Sequence, residues 1–167
     1  RIHSGVYAEA PTLQQFVYLV GDQRDSVIIQ QTDATVLTLV SNVVLDSLTV
    51  TLVTPTAARN VITDNAVAVT GVTLRNVNFA ITTSGGFAHR FVLLSAISTV
   101  TLDRCISSIT DGANPAIHLI RNDTAAATVT IQQCIFTLNT TAGFVIFSNV
   151  AGTWTLRAHG DKFPGGA

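Results

Sequence analysis

The sequence predicts an all-β chain wound into a single-stranded, right-handed parallel β-helix of about five coils, each 25–29 residues long. Three observations lead there: a short motif that returns at nearly constant spacing, an apolar period of two inside each copy, and turn-forming residues between the copies. Helical periodicity is absent.

The motif reads Val43-Val44-Leu45-Asp46-Ser47-Leu48, Val72-Thr73-Leu74-Arg75-Asn76-Val77, Val100-Thr101-Leu102-Asp103-Arg104-Cys105, Val129-Thr130-Ile131-Gln132-Gln133-Cys134 and Trp154-Thr155-Leu156-Arg157-Ala158-His159. The third residues fall at 45, 74, 102, 131 and 156, so the copies are spaced by 29, 28, 29 and 25 residues. An earlier, weaker copy is Val17-Tyr18-Leu19. Alternation within each copy marks a strand, and the two residues before the last apolar place suit a sharp corner. Each coil then needs a third strand, read at Phe91-Val92-Leu93-Leu94, Ile117-His118-Leu119-Ile120 and Phe144-Val145-Ile146-Phe147. Between these pieces lie turn-rich loops: Thr83-Ser84-Gly85-Gly86, Asp111-Gly112-Ala113-Asn114-Pro115 and Asn139-Thr140-Thr141-Ala142-Gly143.

One coil cannot bury its own inner face, but stacking puts equivalent positions about 4.8 Å apart and makes a continuous core. The expected inward columns are Val72/Val100/Val129, Leu74/Leu102/Ile131, Val77/Cys105/Cys134/His159 and Ile81/Ile109/Leu138/Phe163. Removing one member should cost roughly 2–5 kcal/mol. Right-handedness follows from the crossover preference of parallel strands.

At 167 residues the chain fits one domain spanning 1–167. Only 11% of residues are charged while 47% are apolar, a balance that favours burial against a partner. Thr, Ser, Asn or Asp interrupts every apolar run before the roughly 18 residues needed to span a bilayer, which argues against membrane insertion. A formal charge of −1 with no Lys/Arg cluster argues against nucleic acid, whose phosphates need basic partners. The chain has no Met and starts at Arg1 within a strand-turn pattern, so it reads as a fragment of, or a product processed from, a longer polypeptide.

The opening residues Ile2-His3-Ser4-Gly5-Val6-Tyr7-Ala8-Glu9, followed by Tyr18-Leu19-Val20-Gly21-Asp22 and Val27-Ile28-Ile29, resemble the first coil of pectin methylesterases and the wider pectin lyase-like superfamily. The likeness covers residues 2–30, and it implies a right-handed parallel β-helix and an association with polysaccharides. The esterases' Gln-Asp pair, Gly-x-x-Asp-Phe segment and Arg-Pro-Trp element are not found in this sequence.

Catalytic candidates are few. Asp103 and Arg104 sit at a predicted corner near Arg75, Gln132 and Gln133, where a ladder of weak ion pairs through Asp46, Arg75, Asp103 and Arg157 is the plainer expectation. Asp111, in Thr110-Asp111-Gly112, resembles a polygalacturonase element, with Asp123 as its partner acid, although an Asx residue before Gly is also an ordinary turn former. His89 and His118 could bring two imidazoles onto adjacent coils, yet no third metal ligand is evident, and the sequence implies neither a metal nor a cofactor. Cys105 and Cys134, 29 residues apart, should stack; they are read either as a disulfide or, preferably, as buried free thiols. Sequons stand at Asn122-Asp123-Thr124 and Asn139-Thr140-Thr141.

The outward positions bear on assembly. Thr73, Thr101, Thr130 and Thr155 should form one column, while Asn78, Ile106 and Ile135 occupy the neighbouring outward places instead of the second Thr column that ice binding asks for. Ile106 and Ile135 should point outward together, and Phe91, Leu93, Phe144 and Phe147 lie on strands apolar on both faces, as covered strands are. These six residues are the expected interface of a homo-oligomer, preferably a trimer. The resulting expectation is a non-catalytic structural or adhesion module of a virion surface or extracellular assembly, such as a phage or large-virus spike or capsid-associated protein. The alternative is a carbohydrate-active or glycan-binding domain, with loops 82–90, 111–116 and 139–143 along a groove.

Overall fold

In a computed structural model of the chain, residues 1–83, 87–111, 117–123, 126–137, 144–148 and 155–160 are described. Sixteen strands are found among them. In chain order they are β1 (Gly5–Tyr7), β2 (Tyr18–Val20), β3 (Val27–Thr32), β4 (Leu37–Thr38), β5 (Val44–Asp46), β6 (Thr49–Val53), β7 (Asn60–Thr63) and β8 (Val72–Arg75). The second half holds β9 (Asn78–Thr83), β10 (His89–Leu94), β11 (Thr99–Asp103), β12 (Ile106–Asp111), β13 (Ile117–Asn122), β14 (Thr128–Gln132), β15 (Phe144–Ser148) and β16 (Thr155–His159).

Through the middle of the chain every third strand in sequence is a neighbour in space, and at the ends β1 pairs with β3, β13 with β15 and β14 with β16, which is the connectivity of a parallel β-helix. Sheet A has the order β1-β3-β6-β9-β12, sheet B the order β4-β7-β10-β13-β15, and sheet C the order β2-β5-β8-β11-β14-β16. All pairings are parallel. No helix among the described residues is long and apolar enough to cross a membrane.

The core is the set of inward columns. Val72, Val100 and Val129 stack in register, as do Leu45, Leu74, Leu102 and Ile131, and none is more than 1% exposed. Leu48, Val77, Cys105 and Cys134 follow the corner and are fully buried. Phe79 of sheet A meets Phe91 of sheet B with ring centroids 5.8 Å apart and planes tilted by 41°. Ile109 pairs with Ile81 as expected, and Leu138 and Phe163 lie outside the described residues.

The corner between sheets C and A turns on one residue per coil in the left-handed region: Ser47 (φ 57°), Asn76 (52°), Arg104 (52°), Gln133 (52°) and Gly160 (66°). A side chain there costs about 1–2 kcal/mol. The compensation is that the ladder never breaks: each corner amide donates to a carbonyl in the next coil, Ser47 to Arg75 at 3.1 Å, Asn76 to Asp103 at 2.8 Å, Arg104 to Gln132 at 2.8 Å and Gln133 to His159 at 2.9 Å.

Two expectations need correction. In the last coil Leu156 pairs with Val129 and Ala158 with Ile131, so the true marker is Ala158 and the spacing is 27 residues rather than 25. His159 therefore pairs with Gln132, not with Cys134, and it is exposed rather than inward. Sheet B departs from alternation as well: Val61 with Ile62, Phe91 with Val92, and Leu119 with Ile120 are consecutive residues at 0–1% exposure, while Arg90, Leu93 and Arg121 are half-buried, so Phe91 belongs to the core and not to an outward face. Leu13, outside the coil pattern, contributes by joining the core near Thr35–Val40.

Candidate functional site

The outer side of the C–A corner carries the densest polar cluster. Because side chains alternate along a strand, the residue before each left-handed position faces solvent. The register aligns Val20, Asp46, Arg75, Asp103, Gln132 and His159 in one column. Arg75 Nε donates to Asp46 Oδ2 at 3.1 Å, the Tyr18 hydroxyl donates to the same oxygen at 2.7 Å, and Ser47 Oγ donates to Asp46 Oδ1 at 2.9 Å. Arg75 also contacts the Tyr18 hydroxyl and places its guanidinium carbon 5.7 Å from the Tyr18 ring centroid. One rung on, Asn76 Nδ2 donates to Ser47 Oγ at 3.1 Å and accepts at Oδ1 from Arg24 Nη1 at 3.2 Å, while Arg104 pairs with Asp103 at 2.9 Å. Asp46, Ser47, Arg75, Asn76 and Arg104 line an open groove of about 480 Å³.

Burial works against the charge on Asp46, but the hydrogen bonds from Arg75, Tyr18 and Ser47 outweigh it and hold the carboxyl below its ordinary value. Its hydrogen bond and charge in turn raise the Arg75 pKa, and its hydrogen bond raises that of Tyr18. The cluster is thus a set of fixed charges in a stable protonation state, suited to holding a shape or a polar ligand rather than to moving a proton near neutral pH. The expected ladder is partly realised. Arg157 lies beside Thr130, and His159 takes its place in the charged column.

The other candidates fall as follows. Asp111 ends β12 opposite Thr83, and its side chain is outside the described residues. Asp123 forms an ion pair with Arg121 at 2.8 Å and follows β13, whose six residues span about 20 Å. The two acids thus belong to different strands, Asp111 to the end of β12 and Asp123 to the residue after β13. His89 is fully buried and its Nδ1 accepts from the Arg59 amide at 3.4 Å, whereas His118 pairs with Arg90. His118, whose side chain lies outside the described residues, is thus not in register with His89. Among the described residues no group of three or more His, Cys, Asp or Glu could hold a metal ion.

Ile106 and Ile135 bridge one another on the outer side of sheet A, Ile106 half-buried and Ile135 48% exposed. Phe91 is different: it is fully buried in the core and has no surface to offer a neighbour. Leu93 is half-buried, and Phe144 and Phe147 lie on β15, with side chains outside the described residues. Cys134 lies over Cys105, both buried and not joined by a disulfide, with the Cys105 amide donating to Cys134 Sγ at 3.3 Å. Asn122 is fully buried, which withholds that sequon from glycosylation in the folded chain, and Asn139 lies outside the described residues.

Sequence reasoning missed three features. A second Thr column does exist, Thr99/Thr128/Thr155, two residues before Thr73/Thr101/Thr130 on the same sheet, and Thr155 belongs to it. Tyr18 was part of the weak first copy, and its register with Val44, two residues before Asp46 on the same strand face, was the signal for its place in the cluster. Third, Phe16, Val67 and Ile97 are 79%, 62% and 62% exposed. Each lies in a segment leading into a sheet C strand, namely β2, β8 and β11. Comparison with family models, with curated proteins and with solved structures finds no match.

Proposed function

We propose that this chain is a non-catalytic structural or adhesion β-helix module of a virion surface or extracellular assembly, such as a spike or capsid-associated protein, that self-associates as a homotrimer. The observation that carries this reading is the exposure of the large apolar residues Phe16, Val67 and Ile97, each in a segment that leads into a strand of sheet C, with Val6 and Ile135 exposed on sheet A. Exposed large apolar side chains on a rigid column favour contact with another surface. Kinship with the pectin lyase-like superfamily, suggested by the first coil, supplies the architecture without implying its chemistry.

The test is the mass in solution. Light scattering at high concentration is expected to return a multiple of the 17.6 kDa chain, reduced by Ile97→Asp and Phe16→Ser. A monomer mass at every concentration refutes self-association. A second reading, a glycan-binding or carbohydrate-active domain, is favoured by the groove at Asp46, Arg75 and Arg104. Release of reducing ends from a panel of acidic and neutral polysaccharides, abolished by Asp103→Ala, would replace the structural reading.

A further inference from the structure

We propose that Cys105 and Cys134 form a latent inter-coil disulfide, closed by exchange with a small-molecule disulfide as the coils dock and shielded from reduction afterwards. They are the only cysteines in the chain, and they sit in register on consecutive coils, each just before residues that bridge. Stacked positions on neighbouring parallel strands are about 4.8 Å apart, inside the Cα range that a disulfide accepts. Cys134 Sγ accepts from the Cys105 amide at 3.3 Å and so faces the Cys105 coil. Cys105 Sγ donates to the Leu74 carbonyl at 3.2 Å, on the coil before, so closing the bridge requires the Cys105 side chain to leave that carbonyl and rotate toward Cys134.

Exchange needs a thiolate. Burial, reinforced by Cys134, pushes the Cys105 thiol well above its usual range, so the docked pair exchanges slowly and the reaction belongs to folding, when both groups meet water. One thiolate attacks glutathione disulfide, releasing one glutathione thiolate and forming a mixed disulfide. The other cysteine thiolate then attacks the protein sulfur and releases the second glutathione. Two thiol protons are lost, and two electrons pass from the cysteines to glutathione disulfide. The product closes a loop across one full coil, clamping two rungs that are otherwise held by packing, backbone hydrogen bonds and the Ser107 hydroxyl on the Thr137 backbone. The inference does not depend on oligomeric state, since both cysteines belong to one chain.

The test is refolding of the full chain in a glutathione redox buffer and, separately, in excess reductant. In the oxidised sample, non-reducing trypsin digestion should link the peptide Cys105–Arg121 to Asn122–Arg157, and intact mass should fall by two hydrogen atoms. The melting temperature should exceed that of the reduced sample by about 10 °C and return after denaturation in reductant. Cys105→Ser and Cys134→Ser should show no redox-dependent shift. Two free thiols after oxidative refolding, or a bridge joining two chains, overturns the proposal. A bridged chain that melts no higher than the reduced one overturns the clamp.

Discussion

Asp64 offers the most decisive test of how the coils are held together. It is a fully buried carboxylate at the end of β7 that reaches into the next coil. Its Oδ1 accepts from the Ala66 amide at 3.1 Å and the Ser95 amide at 2.9 Å, and its Oδ2 accepts from Ser95 at 3.0 Å, the Ala96 amide at 3.0 Å and Ser98 Oγ at 2.8 Å. Asp64→Ala removes every one of these acceptors. Ala66 is exposed and its amide can turn to water, and the Ser98 hydroxyl can rotate, which leaves the Ser95 and Ala96 amides stranded. At roughly 1.5 kcal/mol for each stranded donor, the loss is about 3 kcal/mol. For a chain of this size that is a fall of about 6–12 °C in melting temperature. Calorimetry measures it, and hydrogen exchange locates it, because protection should vanish first at Ser95 and Ala96. Asp64→Asn, which keeps one acceptor oxygen, should fall between the parent and the alanine variant. An alanine variant that melts within about 2 °C of the parent refutes the clasp.

Two further outcomes follow from the first coils. A Cβ on Gly21 would sit 2.3 Å from the Ser47 carbonyl oxygen and 3.1 Å from Val27 Cβ, and the backbone cannot retreat without breaking the 2.9 Å bond from the Gly21 amide to the Asp46 carbonyl. Gly21→Ala should therefore lower stability by about 1–3 kcal/mol in urea unfolding, and an unchanged midpoint contradicts this packing. Asp33 accepts from the Thr56 hydroxyl and from its amide at 2.8 Å, with Arg59 alongside, which lowers its pKa to about 2. A depressed carboxyl stabilises the fold fully above its unfolded value near 4, and this contribution disappears as pH falls through about 2. Carboxyl NMR of the folded chain should find that low midpoint, shifted upward in Thr56→Val; a titration near 4 in the parent excludes the clamp.

The inside of the stack was legible because burial enforces a strict repeat. Leu45, Leu74, Leu102 and Ile131 must align for any of them to be dry, and their spacing shows it. The same rule explains the error in the last coil. A slip of one residue would turn the apolar set outward, but a slip of two keeps the same face inward, so Leu156 and Ala158 could not be told apart as the marker by alternation. His159 was misplaced by that slip. Phe91 was misread for a different reason: two consecutive apolar residues do not say what buries them, and here Phe91 and Val92 are both buried within the one chain.

The outer surface obeys no such constraint, which is why its use is harder to read. Asp64 looks like any polar residue after a strand, and its donors at Ser95, Ala96 and Ser98 become visible only once one coil lies on the next. Phe16, Val67 and Ile97 lie in connecting segments of unequal length, so a search for a fixed period passes over them although each precedes a strand of sheet C. Under the proposed function these solvent-facing residues, along the entry to sheet C, form an edge that serves contact rather than folding. If that edge is a contact surface, Ile97→Asp should leave the melting temperature of the monomer nearly unchanged while shifting the association equilibrium. An equal loss of both would instead make the edge part of the fold's own stability.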